Sequence, residues 1–180
     1  MSKKLFVVTG PSGAGIGELV RALFAAREDL AAVTPLTARK PKEGERDGVG
    51  FYFYDLEGWN ALKEAGELLE TTEFAGNDYG TSRRLVEEQL AAGRNVLLNL
   101  SVERAAQVKR SMPAAVCVYV EPSPAVLRAR YRRIARSEFE VSVRMETAER
   151  QRTLAGFCDQ VVNSDDIPAA VAAVSALMDN

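Results

Sequence analysis

The chain predicts an α/β protein: a parallel sheet flanked by helices, with a smaller subdomain inserted after the first helix. Three observations lead there. Short apolar runs alternate with helical patterns along most of the sequence, the order expected of strands joined by crossover helices. Runs such as Val96-Leu97-Leu98 and Val116-Cys117-Val118-Tyr119-Val120 lack polar alternation, which suits strands covered on both faces. The rhythm breaks once, between residues about 34 and 82, where short strand-like pieces and turns replace it.

In order, the first strand is expected over Lys4 to Thr9, and a glycine-rich turn then opens a helix over Gly15 to Ala26. In the insertion, the polar, turn-rich stretch Lys40 to Gly50 reads as a surface loop. The aromatic run Phe51-Tyr52-Phe53-Tyr54, a helix near Leu56 to Ala65, and strands over Leu68 to Phe74 and Asn77 to Thr81 complete it. Loops set opposite a rigid core commonly carry a ligand, so the insertion is where a second substrate would be held. The core resumes with a strand over Asn95 to Leu100 and a helix over Val102 to Ser111 that Ser101 can cap. A strand over Ala115 to Val120 follows, then a helix over Pro124 to Ala135 with Ser123 as N-cap and proline at its first position. A helix over Val141 to Gly156, a strand over Gln160 to Val162 and a helix over Ile167 to Met178 close the chain. The whole reads as one domain over 1–180, with a core of 1–33 and 83–180 and the insertion at about 34–82.

Composition narrows the chemistry. With 180 residues, 47% hydrophobic and 27% charged, the chain has ordinary globular composition. Its net charge of −2 has no dominant block of like charge, so neither nucleic acid nor an anionic membrane is an expected partner. Histidine is absent, which excludes imidazole acid/base chemistry. Cys117 and Cys158 have neither metal-ligand nor disulfide-framework spacing and read as reduced core thiols. No stretch approaches the roughly 20 apolar residues of a membrane span, and the expected location is cytoplasmic.

The segment GPSGAGIGEL, residues 10 to 19, directly follows the first strand. It matches G-x-x-x-x-G-K-[ST] in its glycines and departs from it in its charges. Such a loop cradles phosphates with backbone N–H groups and a helix N-terminus, adds a lysine charge, and holds Mg²⁺ through a hydroxyl. Here Gly10, Ser12, Gly13, Ala14 and Gly15 keep the backbone frame, whereas Ile16 stands at the lysine position, Gly17 at the hydroxyl position and Glu18 one step beyond. Losing one pre-organised donor to a transition-state charge costs roughly 100- to 1000-fold in rate. A carboxylate about 4 Å from a phosphate adds roughly 4 kcal/mol of repulsion at an effective dielectric near 20. ATP is therefore a doubtful ligand, and no residue is assigned to a metal.

Three further segments resemble guanylate kinases. TARKPKEGERDGVGFYF (residues 37 to 53) is similar to the family's T-T-R-x-P-R-x-G-E-x-[ND]-G-x-x-Y-x-F run, EFAGNDYGTS (73 to 82) to its F-x-G-N-x-Y-G-T-S run, and VVNSDD (161 to 166) to its V-N-D-D segment. The resemblance covers nearly the whole chain and implies a P-loop kinase-like core, a GMP-binding subdomain, a helical lid near 130–145, and the reaction ATP + GMP to ADP + GDP with Mg²⁺. It implies that Arg39, Lys42 and Tyr79 grip the GMP phosphate, that Glu70 and Thr81 meet the guanine, and that Arg130 and Arg144 are catalytic arginines covering the phosphates. A carboxylate suits guanine because the base presents N1–H and N2–H₂ donors side by side.

The departures gather on the donor and metal side. The family's D-[IL]-D is Asn99-Leu100-Ser101 here, Lys42 replaces a second arginine, Phe51 replaces a tyrosine, and the lid's usual R-G pair is absent. The favoured expectation is a guanylate-kinase-like protein that keeps a pocket for GMP or a similar phosphate ligand, with weak or lost transfer and Mg²⁺ required only if it is active. Three alternatives stay open: an active kinase with a compensating cation such as Arg21, a ribose 1,5-bisphosphate-type kinase suggested by Asn99 and Ser101, and a phospho-ligand interaction module.

Overall fold

The computed structural model describes residues 3–179. Five parallel strands form the central sheet: β1 (Leu5–Thr9), β2 (Leu30–Ala31), β7 (Asn95–Asn99), β8 (Val116–Glu121) and β9 (Gln160–Asn163), in the spatial order β2-β7-β1-β8-β9. Alternation along β1 sets the two layers. Phe6 and Val8 face Leu19 and Leu23 of α1 (Ile16–Ala26) and Ala170 and Val174 of α7 (Ile167–Met178), while Leu5 and Val7 pack with Val86 of α3 (Arg83–Ala91) and Ala105 and Val108 of α4 (Val102–Ser111). Burial on both faces explains the unbroken apolar strands.

The second sheet has four short strands, β3 (Leu36–Thr37), β4 (Tyr52–Phe53), β5 (Leu68–Phe74) and β6 (Asn77–Ser82), in the order β4-β3-β6-β5. The β5–β6 hairpin is antiparallel and turns at Ala75-Gly76, both with positive φ. Helix α2 (Leu56–Glu64) carries the buried Trp59, and Asp55 caps it by accepting the Gly58 N–H. Trp59 packs so close to β6 that a Cβ on Gly80 would lie 3.2 Å from its ring and 2.8 Å from the Glu70 carbonyl.

The expected N-caps form: Ser101 accepts from Arg104 N–H on α4, and Ser123 from Val126 N–H on α5 (Pro124–Arg132). Other features differ from the sequence expectation. Helix α3 lies between the insertion and β7 where no element was expected, and the aromatic run contributes only two strand residues. Helix α6 (Glu138–Leu154) starts three residues earlier than expected because Ser137 caps it, and its last turn is a 3₁₀ segment, Ala155–Phe157. Cys117 and Cys158 are free and share the α4-side core. The neighbouring Cys158 thiol, together with burial, pushes the Cys117 thiol up. Among the described residues, no helix is long and apolar enough to cross a membrane.

Candidate functional site

Gly10 to Gly15 lead from the end of β1 into α1. Glycine is needed at both ends of this run. At Gly10 a Cβ would stand 2.3 Å from the Val120 carbonyl oxygen, and Gly15 sits at φ 84°, left-handed, as the N-cap of α1. Three successive loop carbonyls are claimed by side chains. Tyr131 donates its hydroxyl to the Ser12 oxygen at 2.6 Å, Arg130 donates Nη1 to the Gly13 oxygen at 3.0 Å, and Ser164 donates Oγ to the Ala14 oxygen at 2.7 Å. Arg130 also donates Nη2 to the Ser164 carbonyl at 2.7 Å, tying α5, the loop and the segment after β9 together. With these carbonyls engaged, the loop's remaining polar groups toward an incoming anion are amide N–H groups at a helix N-terminus.

A cleft of about 510 Å³ lies over the loop, lined by Gly10 to Gly17 and by Asn99, Leu100 and Ser101, none of them charged. Ile16 packs against the core on the α1–α7 side. Glu18 is exposed in the first helical turn, where a negative side chain suits the helix macrodipole. Arg21, a turn further on, brings Nη1 to 3.9 Å from the point a Cβ on Gly17 would occupy. Arg144 lies elsewhere: it pairs with Glu140 at 2.8 Å, and its guanidinium carbon stands 5.9 Å from the centroid of the Tyr131 ring.

The second cluster lies on the small sheet. Arg39 forks onto Glu45 at 2.6 and 2.7 Å and stands over the Phe51 and Phe53 rings at 5.0 and 5.1 Å. Glu45 also accepts the Lys42 backbone N–H at 2.7 Å, while the Lys42 side chain is exposed. These two contacts, the guanidinium foremost, hold the Glu45 carboxyl down at about 2. Tyr79 meets Phe51 at a tilt of 59° with ring centroids 5.7 Å apart, and, behind Glu45, its hydroxyl helps to raise the pKa of the Arg39 guanidinium.

Glu70 is sealed in, its side chain 0% exposed on β5. It accepts the Thr81 hydroxyl at 2.6 Å from the neighbouring strand, and from α4 it accepts Arg104 Nε at 2.6 Å and Nη2 at 2.8 Å. One turn along α4, Gln107 pairs with both the N–H and the carbonyl of Thr71, at 3.0 and 2.9 Å, acting as a strand partner for the edge of β5. The structure therefore joins Arg39, Tyr79 and Phe51 in one cluster and Glu70 with Thr81 in another, and it ties Arg130 to the loop. Sequence reasoning missed Glu45, Arg104 and Gln107. The signal available for the last two was their spacing, three apart on the face of α4 that begins at Ser101.

A glycine-rich loop from the central strand of a parallel sheet to a helix, beside a small sheet bearing an arginine and an enclosed acid, defines a P-loop, nucleotide-binding kinase of the monophosphate-kinase class. The guanylate kinase family profile matches residues 2–180. The chain is 42% identical over 176 residues to a guanylate kinase of Parasynechococcus marenigrum (strain WH8102), covering 97% of each chain. It is 39% identical over 171 residues to one of Enterococcus faecalis (strain ATCC 700802 / V583), covering 93% of this chain and 83% of that one. The crystal structure of guanylate kinase from Anaplasma phagocytophilum shares the fold, with a TM-score of 0.65 at 24% identity over 99% of this chain and 85% of that one. The chain belongs to the guanylate kinase family.

Proposed function

We propose that this protein binds a purine nucleoside monophosphate of the GMP type on its acceptor side, and that phosphoryl transfer from ATP is weak or lost. The observation that carries the reading is Ile16, an apolar side chain packed against the core where the motif needs a cation, in the lining of an uncharged cleft. The acceptor side keeps the residue types for a monophosphate: Arg39, Lys42 and Tyr79 for the phosphate, and Glu70, Thr81 and Ser101 around the base. On the donor side, Gly10, Ser12, Gly13, Ala14 and Gly15 supply the frame, Ile16, Gly17 and Glu18 the loss. Arg130 acts on the loop's shape through its carbonyls, and Arg144 stands in the lid, over 130–145. The insertion over 34–82 is the acceptor subdomain, and the protein works in the cytoplasm.

Mg²⁺ accompanies phosphoryl transfer in such kinases. The side-chain oxygens lining the cleft are those of Ser12, Asn99 and Ser101, and Ser101 Oγ already accepts the Arg104 N–H at 3.4 Å. Neutral oxygens alone, one of them engaged, do not suit a hard dication, so no step here passes through a metal.

Calorimetry with GMP and with ATP·Mg²⁺ tests the reading. GMP is expected to bind in an Arg39-dependent manner and ATP at least about 100-fold more weakly. Equal binding, or turnover near 1 per second, the lower end for kinases, would overturn it. One observation favours a second reading, an active enzyme: Arg21 reaches the first turn beside Gly17. If its guanidinium replaces the lysine charge, turnover is present and Arg21→Met removes it.

A further inference from the structure

The base end of the acceptor site is electrostatically different from one built for guanine alone. Guanine's Watson–Crick edge needs a free acceptor for N1–H and for one N2–H. The acid at that position, Glu70, is already held by three donors: Arg104 Nε, Arg104 Nη2 and the Thr81 hydroxyl, at 2.6, 2.8 and 2.6 Å. A carboxylate has about four lone-pair sites, so a single site remains for two guanine donors. No second acid relieves this, because Asn99 and Ser101 are neutral at the mouth of α4 and Ser101 Oγ already accepts from Arg104 N–H. Arg104 also adds donors. Of the five guanidinium N–H groups, two enter the fork with Glu70, and three are left on a side chain that is 24% exposed.

We infer that Arg104 is a specificity-determining residue that turns the base subsite from reading an exocyclic amine toward reading an oxygen. A 6-oxopurine monophosphate carrying a carbonyl at C2 offers acceptors to the outward N–H groups of Arg104 and asks less of Glu70. The amine of GMP faces a guanidinium and a carboxylate with one site left. A site whose polar groups mismatch the ligand discriminates strongly, because each buried donor left without an acceptor carries its full desolvation cost. This inference rests on the proposed monophosphate binding and sharpens it to a ligand class.

The test is calorimetric titration of the full chain with xanthosine, inosine and guanosine 5′-monophosphates, repeated on Arg104→Gln and Arg104→Met. Thermal unfolding of each variant confirms that it is folded. The expected order for the unaltered protein is xanthosine over guanosine by at least about tenfold, with inosine between. Arg104→Met frees Glu70 from the fork and Arg104→Gln loosens it, and both are expected to reverse that order. Arg104→Gln is the milder of the two, since its amide still donates to the carboxylate. Guanosine monophosphate binding as tightly as xanthosine monophosphate, or a ratio unmoved by either variant, overturns the inference while leaving the monophosphate reading intact. Absence of binding by all three ligands overturns both.

Discussion

Arg104 grips Glu70 through two near-parallel N–H···O bonds of 2.6 and 2.8 Å, and Glu70 is the one of the pair that is wholly enclosed. The same pattern recurs across the small sheet, where Arg39 forks onto Glu45 at 2.6 and 2.7 Å. In each case the group expected to meet the ligand, the acid at the base end or the arginine at the phosphate end, has an oppositely charged partner from the chain itself. Under the proposed function, ligand binding on this side would be an exchange of ion pairs, its strength set by what those internal partners hold.

Removing Arg104 alone leaves an enclosed carboxylate with only the Thr81 hydroxyl. Breaking such a pair from one side costs about 3–5 kcal/mol when fully buried. Because Arg104 is partly exposed, about 2–3 kcal/mol is expected for Arg104→Met in urea unfolding. The double variant Arg104→Met with Glu70→Met should cost less than Arg104→Met alone, since no buried charge remains. A double-variant loss equal to the sum of the two single losses would show that the residues are not coupled.

Glu45 carries a pH signature. Its carboxyl is held at about 2 by Arg39 and the Lys42 N–H, against an ordinary value of 4.5. A depressed acid adds stability that is complete above 4.5 and disappears as pH falls through about 2. Carboxyl carbon NMR should give Glu45 a midpoint near 2. Glu45→Gln should flatten the acid limb of stability over that window, its loss being present at neutral pH and fading as pH falls through about 2. A midpoint near 4.5 would mean that the fork does not persist in solution.

Much of this arrangement is legible in the amino-acid sequence, and the rest is hidden for physical reasons. The strands buried on both faces announce themselves as apolar runs, and Ser101, Ser123 and Pro124 mark their helices. Strands β2 and β3 are two residues each, too short for any periodicity to show. Helix α3 hides because most of RRLVEEQLA is polar and it buries a single residue, Val86. Its real signals are the Ser82 cap, the Arg84–Glu88 pair at i,i+4 and Gly93 just past its end. Arg104 escapes notice because an arginine in the first turn of a helix ordinarily means solvent. Only the pairing of α4 against β5 brings it onto Glu70.

The loop's shape depends on side chains far away in sequence. Ser164 is fully buried and donates to the Ala14 carbonyl, and Arg130 bridges the Gly13 and Ser164 carbonyls. Ser164→Ala is expected to cost about 1–2 kcal/mol and Arg130→Met about 1.5–3 kcal/mol in chemical denaturation. Arg130 bonds the Ser164 backbone, so the two are in contact and their combined loss should fall short of the sum. Strict additivity would indicate separate roles. Faster amide exchange at Gly13 to Ile16 in both variants would locate the damage in the loop.

Giving the loop a lysine and a hydroxyl is the most direct trial of the donor side as proposed. Ile16 contributes apolar contact to the core, so lysine there forfeits on the order of 1 kcal/mol unless its stem covers the same surface, as lysine stems can. Glu18→Thr removes the carboxylate repulsion and supplies a hydroxyl in the first turn. Because the backbone frame persists, with Gly15 capping α1 and three carbonyls anchored, the double variant I16K/E18T should bind ATP·Mg²⁺ at least about tenfold more tightly than the unaltered chain. Turnover with a monophosphate acceptor should rise by about 100-fold or more. Unchanged ATP affinity would move the fault from Ile16 and Glu18 to Asn99 and Ser101, and adding Asn99→Asp and Ser101→Asp would then be the deciding step. If the unaltered chain already turns over as fast as the variant, the missing lysine is compensated, and Arg21→Met should abolish that activity.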